Sequence, residues 1–357
     1  MKKRFLPLMA MSVMLVTGCV HFGAHNLPPD RIRYNKSVIS SDLQQAILNL
    51  VRLRYGDTPN FLSLNNIVSQ FTLDTSVSAD LSRTDLLESI TNFIQITPKV
   101  GLSETPTITY TPMQGEEFVK RLMTPVDVKV VKVLLRDGWG IGRVFRTFFQ
   151  RLGPFENAVV ASRPTSHRVP VYKRFSKLTH VLRILQTHEA LLVKNDNDLD
   201  VYRMRFDILS FKHLKPDEKR FLATYGITPK TPNFWITTDE DSKLPRNFWG
   251  ETRTMLSIYS YLSKGVEIPI QDYNVADVVK NKDGSIFDWH LVVGGLITIK
   301  YCKTLPRTPY IYVFYRGYYF YVDDTDENSK EGLNLLMILN GIFQGNIQSV
   351  LPVFTVS

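Results

Sequence analysis

The chain has 357 residues, 44% hydrophobic and 11% aromatic, with 43 Lys and Arg against 34 Asp and Glu. That composition is ample for a buried core, which excludes a disordered chain and suits one large domain or two smaller ones. The positive excess is dispersed, without the focused basic patch of a nucleic-acid binder, so no nucleic acid is expected as a partner. Two cysteines, Cys19 and Cys302, exclude a disulfide framework or a cysteine metal site once Cys19 is otherwise engaged.

Lys2, Lys3 and Arg4 form a basic n-region ahead of an apolar stretch from Phe5 to Val16. A helix needs about 20 residues to cross a bilayer, so residues 1–18 read as a signal peptide. Small Thr17 and Gly18 admit a peptidase that cleaves after Gly18, and Cys19 directly behind them offers a thiol. Val16-Thr17-Gly18-Cys19 resembles the bacterial lipobox. The resemblance implies that Cys19 becomes the first mature residue, with a thioether-linked diacylglycerol and usually a third acyl chain on its amine. Val20 in place of Asp implies passage to the periplasmic face of the outer membrane. Each buried methylene contributes about 0.8 kcal/mol, so two or three chains anchor almost permanently. No cofactor is expected beyond those acyl chains.

Residues 19–33, with Pro28-Pro29, read as an acylated flexible tether, and a periplasmic domain is expected over 34–357. Ser41 and Gln44 form a capping box before the stripe Leu43, Ala46, Ile47, Leu50 and Val51, which Gly56 and Pro59 end. Next, Phe71, Leu73, Val77, Ala79 and Leu81 alternate with Thr72, Asp74, Ser76, Ser78 and Asp80, predicting a long half-buried strand. A transmembrane barrel would repeat this pattern many times along the chain. Helices are expected directly afterwards, so the barrel reading is set aside. Thr107 to Thr111 predicts a short strand, and residues 115–121, 126–136 and 141–152 predict three helices. The third sets Arg143, Arg146 and Arg151 around an apolar side, either as a core-packed helix or as a face for a membrane or partner.

Residues 173–193 predict a helix and Tyr202 to Ile208 a strand. The Pro-rich run 228–245 reads as a loop, with a short strand at Phe234 to Thr237 and a subdomain boundary near 228–250. A helix over 251–264 and a β-run over 289–301 follow. Arg316-Gly317 turns a hairpin between Tyr310–Phe314 and Tyr318–Val322, ahead of a helix from Ser329 to Phe343 and a last strand over 350–356. The expected fold is α+β, mixed helices with a C-terminal antiparallel aromatic hairpin sheet. One hairpin face belongs to the core; the other, with Tyr315 and Tyr318, lies under the following helix or meets a partner.

The segments Leu48-Asn49-Leu50-Val51-Arg52-Leu53-Arg54-Tyr55, Pro106-Thr107-Ile108-Thr109-Tyr110-Thr111-Pro112, Leu262-Ser263-Lys264-Gly265-Val266-Glu267-Ile268-Pro269 and Tyr315-Arg316-Gly317-Tyr318 resemble, in this order, a widespread family of proteobacterial lipoproteins. The resemblance covers nearly the whole mature chain and implies an outer-membrane-anchored periplasmic protein without catalytic residues to carry over. It also implies relatives among the subunits of type IVB secretion outer-membrane core complexes.

Motifs for chemistry are incomplete. Asp324, Asp326 and Asn328 open like a calcium loop but lack its Gly and closing Glu, and Asp196, Asp198 and Asp200 fail likewise. Gly138, Gly140 and Gly142 are followed by Arg143 where a dinucleotide fingerprint needs Gly. His180 and His188 are too far apart on one helix for a zinc pair, and Cys302 reads as a small buried hydrophobe. The expectation is a non-enzymatic scaffold subunit of an envelope assembly. The alternatives are a periplasmic binding module for cell wall or lipid, and an unrecognised hydrolase.

Overall fold

The computed structural model describes residues 22–86, 89–163, 168–194, 203–240 and 242–344. The signal peptide, the lipobox, the Asp196–Asp200 run and the expected strand at 350–356 lie outside these residues. The fold is α+β, and the chain divides into two compact units. Among the described residues, one comprises 22–59 and 116–343, and the other 60–115 with 344. Among the described residues no helix is long and apolar enough to cross a membrane.

The first unit opens with α1, Phe22–Arg54, so residues 22–33 are helical rather than an extended tether. From residue 31 on, where side chains are described, burial begins at Leu43 and continues with Ala46, Ile47, Leu50, Val51 and Leu53. A helix that buries little before that point carries no stripe to be read there. After α2 (Glu116–Met123) and α3 (Val128–Arg136) comes α4, Ile141–Phe148. It is four residues shorter than the periodicity predicts, because β3 (Phe149–Leu152) leaves it to pair with β8 (Asn247–Thr252). Arg151 is therefore a strand residue. Likewise α5 (Lys173–Thr187) stops before Glu189, whose φ of 54° turns the chain into β5, Leu191–Lys194.

With β4 (Phe155–Glu156), β6 (Arg203–Ile208) and β7 (Asn233–Thr237) these strands form a six-stranded sheet in the order β4-β3-β8-β7-β6-β5. Every pairing is antiparallel except β7 with β8, which is parallel. The run 228–250 thus supplies two neighbouring strands of one sheet and is no subdomain boundary. Alternation in β6 buries Met204, Phe206 and Ile208, as the period of two requires. A line of rings crosses this core: Phe149 on Phe145 at 5.2 Å, Phe145 on Phe206 at 5.9 Å, Phe206 on Phe234 at 4.9 Å and Phe234 on Phe248 at 5.8 Å.

Helix α6 (Pro216–Ala223) precedes β7, and α7 (Met255–Ser263) follows β8 under a Thr254 cap that accepts from Ser257 N at 3.1 Å. The run 289–301 is not a single strand. It is the short α8 (His290–Val293), a turn with Gly295 at φ 73°, and β9 (Lys300–Cys302). β10 (Pro309–Tyr315) and β11 (Tyr318–Asp323) form the expected hairpin, with Arg316 and Gly317 both at positive φ as a two-residue primed turn demands. β9 adds a third strand beside β11, and α9, Glu327–Gln344, follows.

The second unit contains one ribbon, β1 (Leu62–Leu86) paired antiparallel with β2 (Ser89–Pro112). The strands predicted at 71–81 and 107–111 are parts of it. The helices expected directly after the first of them do not begin until Glu116.

The α1 end is tied down by buried charge. Lys264 Nζ, with a side chain 0% exposed, pairs with Asp277, which is 5% exposed. Arg54 donates from Nε to Val266 O at 3.2 Å and from Nη1 to Asp277 O. Burial pushes Lys264 down to about 8 against an ordinary 10.5, with Asp277 opposing the shift. A base whose folded value is lowered binds fewer protons than in the unfolded chain, so its contribution to stability is complete above the ordinary value and is lost as pH falls through the folded one. Between about pH 8 and pH 10, below the ordinary tyrosine value, stability is therefore expected to rise with pH in denaturant unfolding. Lys264→Met should flatten that rise. Asp277→Asn alone should cost about 3–5 kcal/mol by stranding a buried charge, and adding Lys264→Met should recover part of it.

Candidate functional site

The loop Asp137-Gly138-Trp139-Gly140 joins α3 to α4, and Gly138 sits at φ 90°, where a Cβ would be strained. Gly140 is the N-cap of α4 and has no side chain to cap with. Gln186 on α5 does so instead: its Oε1 accepts from Ile141 N at 2.8 Å and its Nε2 donates to Trp139 O at 2.9 Å. A Cβ on Gly140 would meet Arg183 Nη1 at 3.3 Å. The glycine rhythm thus serves the close packing of α5 on this loop rather than a phosphate loop.

Beside this loop lies a cleft of about 600 Å³ whose lining includes Arg143, Arg146, Arg183 and Glu331. Arg143 donates from Nη1 to Leu296 O at 3.1 Å and Asn328 O at 2.9 Å, and its Nη2 lies 2.8 Å from Glu331. Burial lowers its pKa, against the opposing pull of Glu331. Arg146 Nη2 donates to Gly294 O at 2.9 Å and to Val292 O. Arg183 Nη1 donates to Gln186 Oε1 at 2.8 Å. Arg151, on β3, lies 3.3 Å from Glu156 and 3.6 Å from Glu251. The three arginines expected to share a basic helix face are therefore divided: Arg143 and Arg146 tie α4 to residues 292–296 and to α9, while Arg151 crosses to neighbouring strands. A guanidinium engaged by main-chain carbonyls is a structural clamp, and sequence periodicity has no means of showing which carbonyls will be near. The cleft is lined by no Ser, Cys or His, so it holds no nucleophile and imidazole pair.

The aromatic hairpin divides as the pleat predicts. Ile311, Val313, Phe320 and Val322 are buried, whereas Phe314 is 60% and Tyr312 36% exposed. Tyr319 packs between these two, its ring 4.9 Å from Phe314 and 6.1 Å from Tyr312. Tyr315 and Tyr318, singled out from the sequence, are half-buried and engaged within the chain. Tyr315 donates its hydroxyl to Asp57, with its ring 5.8 Å from Tyr55, and Tyr318 packs its ring 5.7 Å from Tyr301. The exposed aromatic face is instead that of Tyr312 and Phe314, beside Tyr319, as alternation along β10 indicates. α9 reaches the hairpin at Tyr310, with Lys330 Nζ 4.9 Å from its ring, and leaves Phe314 exposed.

Other candidates resolve simply. Asp326 accepts from Ser329 N at 3.1 Å at the start of α9, the helix-terminal role that its position predicts. His188 stacks on His213 at 3.9 Å. Cys302 is half-buried, its Sγ 3.7 Å from Tyr319 O, and burial pushes the thiol up rather than activating it. Among the described residues no group of three His, Cys, Asp or Glu is placed to hold a metal. Comparison with family models, with curated proteins and with solved structures finds no match.

Because Arg143 holds the half-buried carbonyl of Leu296 and the exposed one of Asn328, Arg143→Gln is expected to lower unfolding free energy by about 1–2 kcal/mol, the range for a charged hydrogen bond lost where water can partly replace it. Denaturant titration reads this directly. Arg151→Gln, at half-exposed ion pairs, should change stability by less than about 1 kcal/mol.

Proposed function

We propose that the chain is an outer-membrane-anchored periplasmic lipoprotein that works as a structural subunit of an envelope assembly, by contact rather than by catalysis. The observation that carries this reading is the run Val16-Thr17-Gly18-Cys19 behind Lys2, Lys3 and Arg4, which supplies one acylation site and an address. The first unit adds a contact surface of suitable chemistry, since exposed Phe314 and Tyr312 beside Tyr319 offer large rigid area at low entropy cost. Among envelope assemblies, the core complex of a type IVB secretion machine is the one to which the resemblance of residues 48–55 and 262–269 points.

Cys19→Ser is expected to abolish labelling by radioactive palmitate and to release the protein from membranes without detergent; a variant that still needs detergent would sink the anchor. Phe314→Asp with Tyr312→Asp should leave unfolding within about 0.5 kcal/mol, as for surface sites, while removing crosslinked partners from outer-membrane extracts at least tenfold. Unchanged crosslinking would discard this face as the contact.

A further inference from the structure

The ribbon of β1 and β2 sets two physical requirements. Its strands have 25 and 24 residues and pair from Leu62 with Pro112 to Leu86 with Ser89, a length of about 80 Å at roughly 3.4 Å per residue. Among the described residues no third strand joins it. An isolated two-stranded hairpin is marginal in water, and long open edges are templates for further strands.

The register also sorts the residues. Pairing of Leu73 with Leu102, Thr75 with Val100, Val77 with Pro98, Ala79 with Ile96 and Leu81 with Ile94 puts all ten on one face, because positions two apart share a side of the pleat. None is charged. The band is bounded by Glu104 opposite Phe71 at one end and by Arg83 opposite Asn92 at the other. On the opposite face, Asp74 pairs with Gly101, Ser76 with Lys99, Ser78 with Thr97 and Asp80 with Gln95. From Leu73 to Leu81 the charge-free band is nine residues long, and the span of a tilted transmembrane β-strand is about 9–11.

We infer that copies of this chain join ribbon edge to ribbon edge into a closed β-barrel that spans a lipid bilayer, with the face carrying Leu73, Val77, Ile96 and Val100 toward lipid and the face carrying Ser76, Ser78, Thr97 and Lys99 lining a water-filled interior. The outer edge of β1 in one copy meets the outer edge of β2 in the next, antiparallel and head to tail, a contact that repeats until the ring closes. Closure meets both requirements together: no edge is left open in the hydrocarbon, and the uncharged face is covered by lipid. A ring takes its repeats from copies, so a single chain need carry the strand pattern only once. With two strands per copy and about eight strands in the smallest such barrels, the ring needs at least about four copies. Pro98, Pro106 and the terminal Pro112 remove three donors from β2, a small loss from a ladder of this length. The inference names the repeated contact of the envelope assembly proposed above and rests on that reading only for which membrane is crossed.

The test uses full-length protein extracted from membranes in detergent and reconstituted into phosphatidylethanolamine and phosphatidylglycerol vesicles loaded with a self-quenched dye. The wild type should migrate unheated as an oligomer of about four copies or more and release the dye. Val77→Arg with Ile96→Arg should reduce release at least tenfold and remove the oligomer. Ser78→Arg with Thr97→Arg, at the same height on the other face, should stay within about threefold, since charge is costly only on the lipid side. Single arginines at Leu73, Val77 and Leu81 should give the largest loss at Val77, at the middle of the band, a depth dependence that misfolding would not produce. All four tryptophans, Trp139, Trp235, Trp249 and Trp289, lie in the first unit, so their thermal transition should be common to all variants. A wild type that stays monomeric or releases no dye overturns the inference, as do equal losses from the two faces or a series flat with depth. Cys19→Ser reads attachment in cells and these vesicles read the ring, so the two readings fail separately.

Discussion

The guanidinium of Arg253 is fully buried, and the acceptors around it are oxygens of the main chain and one hydroxyl. Nη1 donates to Arg146 O at 2.8 Å, Thr147 O at 3.3 Å and Phe149 O at 2.7 Å; Nη2 donates to Asn157 O, and Nε to Ser162 Oγ at 2.9 Å. The ring of Tyr261 lies 3.9 Å from the guanidinium carbon. The carbonyls at the end of α4 have no intrahelical partner and carry the negative end of the helix dipole. A buried cation there answers both facts at once. Burial lowers the Arg253 pKa to about 10, which still leaves the charge in place at neutral pH. The backbone N–H of Arg253 donates to Phe148 O at 2.6 Å, so the same residue ends the helix and starts the pairing of β3 with β8. Leucine could replace the volume but would strand the carbonyls of Thr147 and Asn157, whereas those of Arg146 and Phe149 also accept from Asn157 Nδ2 at 2.8 and 2.7 Å; lysine could reach one or two but lacks the planar fork.

With the C-terminal end of α4 held by Arg253 and its N-terminal end capped by Gln186, the residues along it have fixed addresses. Arg143 and Arg146 then meet the carbonyls of residues 292–296 and 328, and Arg54 does the same at Val266 and Asp277. A good part of the basic excess is therefore internal clamp rather than surface charge. This explains why a net charge of +9 points so weakly to a partner. Lys264 is the contrasting case: a buried ammonium beside a carboxylate, where the desolvation cost is offset by one close counter-ion and by the face of Trp289, 5.5 Å away. The carbonyl clamps spread the charge over several dipoles, and the ion pair concentrates it in one contact.

How much could be read beforehand follows from which physical signal each element leaves. β6 and the β10–β11 hairpin bury one face and expose the other, and their alternation gave them away; Arg316-Gly317 marked its turn by chemistry. The apolar helical period continues past the end of α4 into Phe149–Leu152, and the register shift between Phe149 and Arg151 is what lets a strand bury both Phe149 and Leu152. β8 was passed over since Asn247, Trp249 and Glu251 alternate with Phe248 and Gly250, and the glycine removes one mark of the pattern. Its Cβ would lie 2.8 Å from Phe149, so the gap in the pattern is the space that Phe149 fills. Arg143, Arg146 and Arg253 were opaque for a different reason: their partners are carbonyls, and a carbonyl carries no residue identity.

The two units answer one constraint in different ways. Backbone donors and acceptors removed from water have to find partners, and in the first unit the chain supplies them from within, through the six-stranded sheet and through guanidinium groups aimed at helix ends. In the ribbon each strand satisfies the other along one edge only. The sorting of Leu73, Val77, Ala79, Ile94, Ile96 and Val100 to one face has no use in a ribbon that stays in water, where both faces would be wet. A uniformly polar ribbon would then serve as well and aggregate less. An apolar face cut to nine residues in strands of 25 and 24 makes physical sense where the surroundings are themselves layered, apolar over about 30 Å and aqueous on either side. The segment that looks least complete in the single chain is then the one whose missing partners are identical to itself.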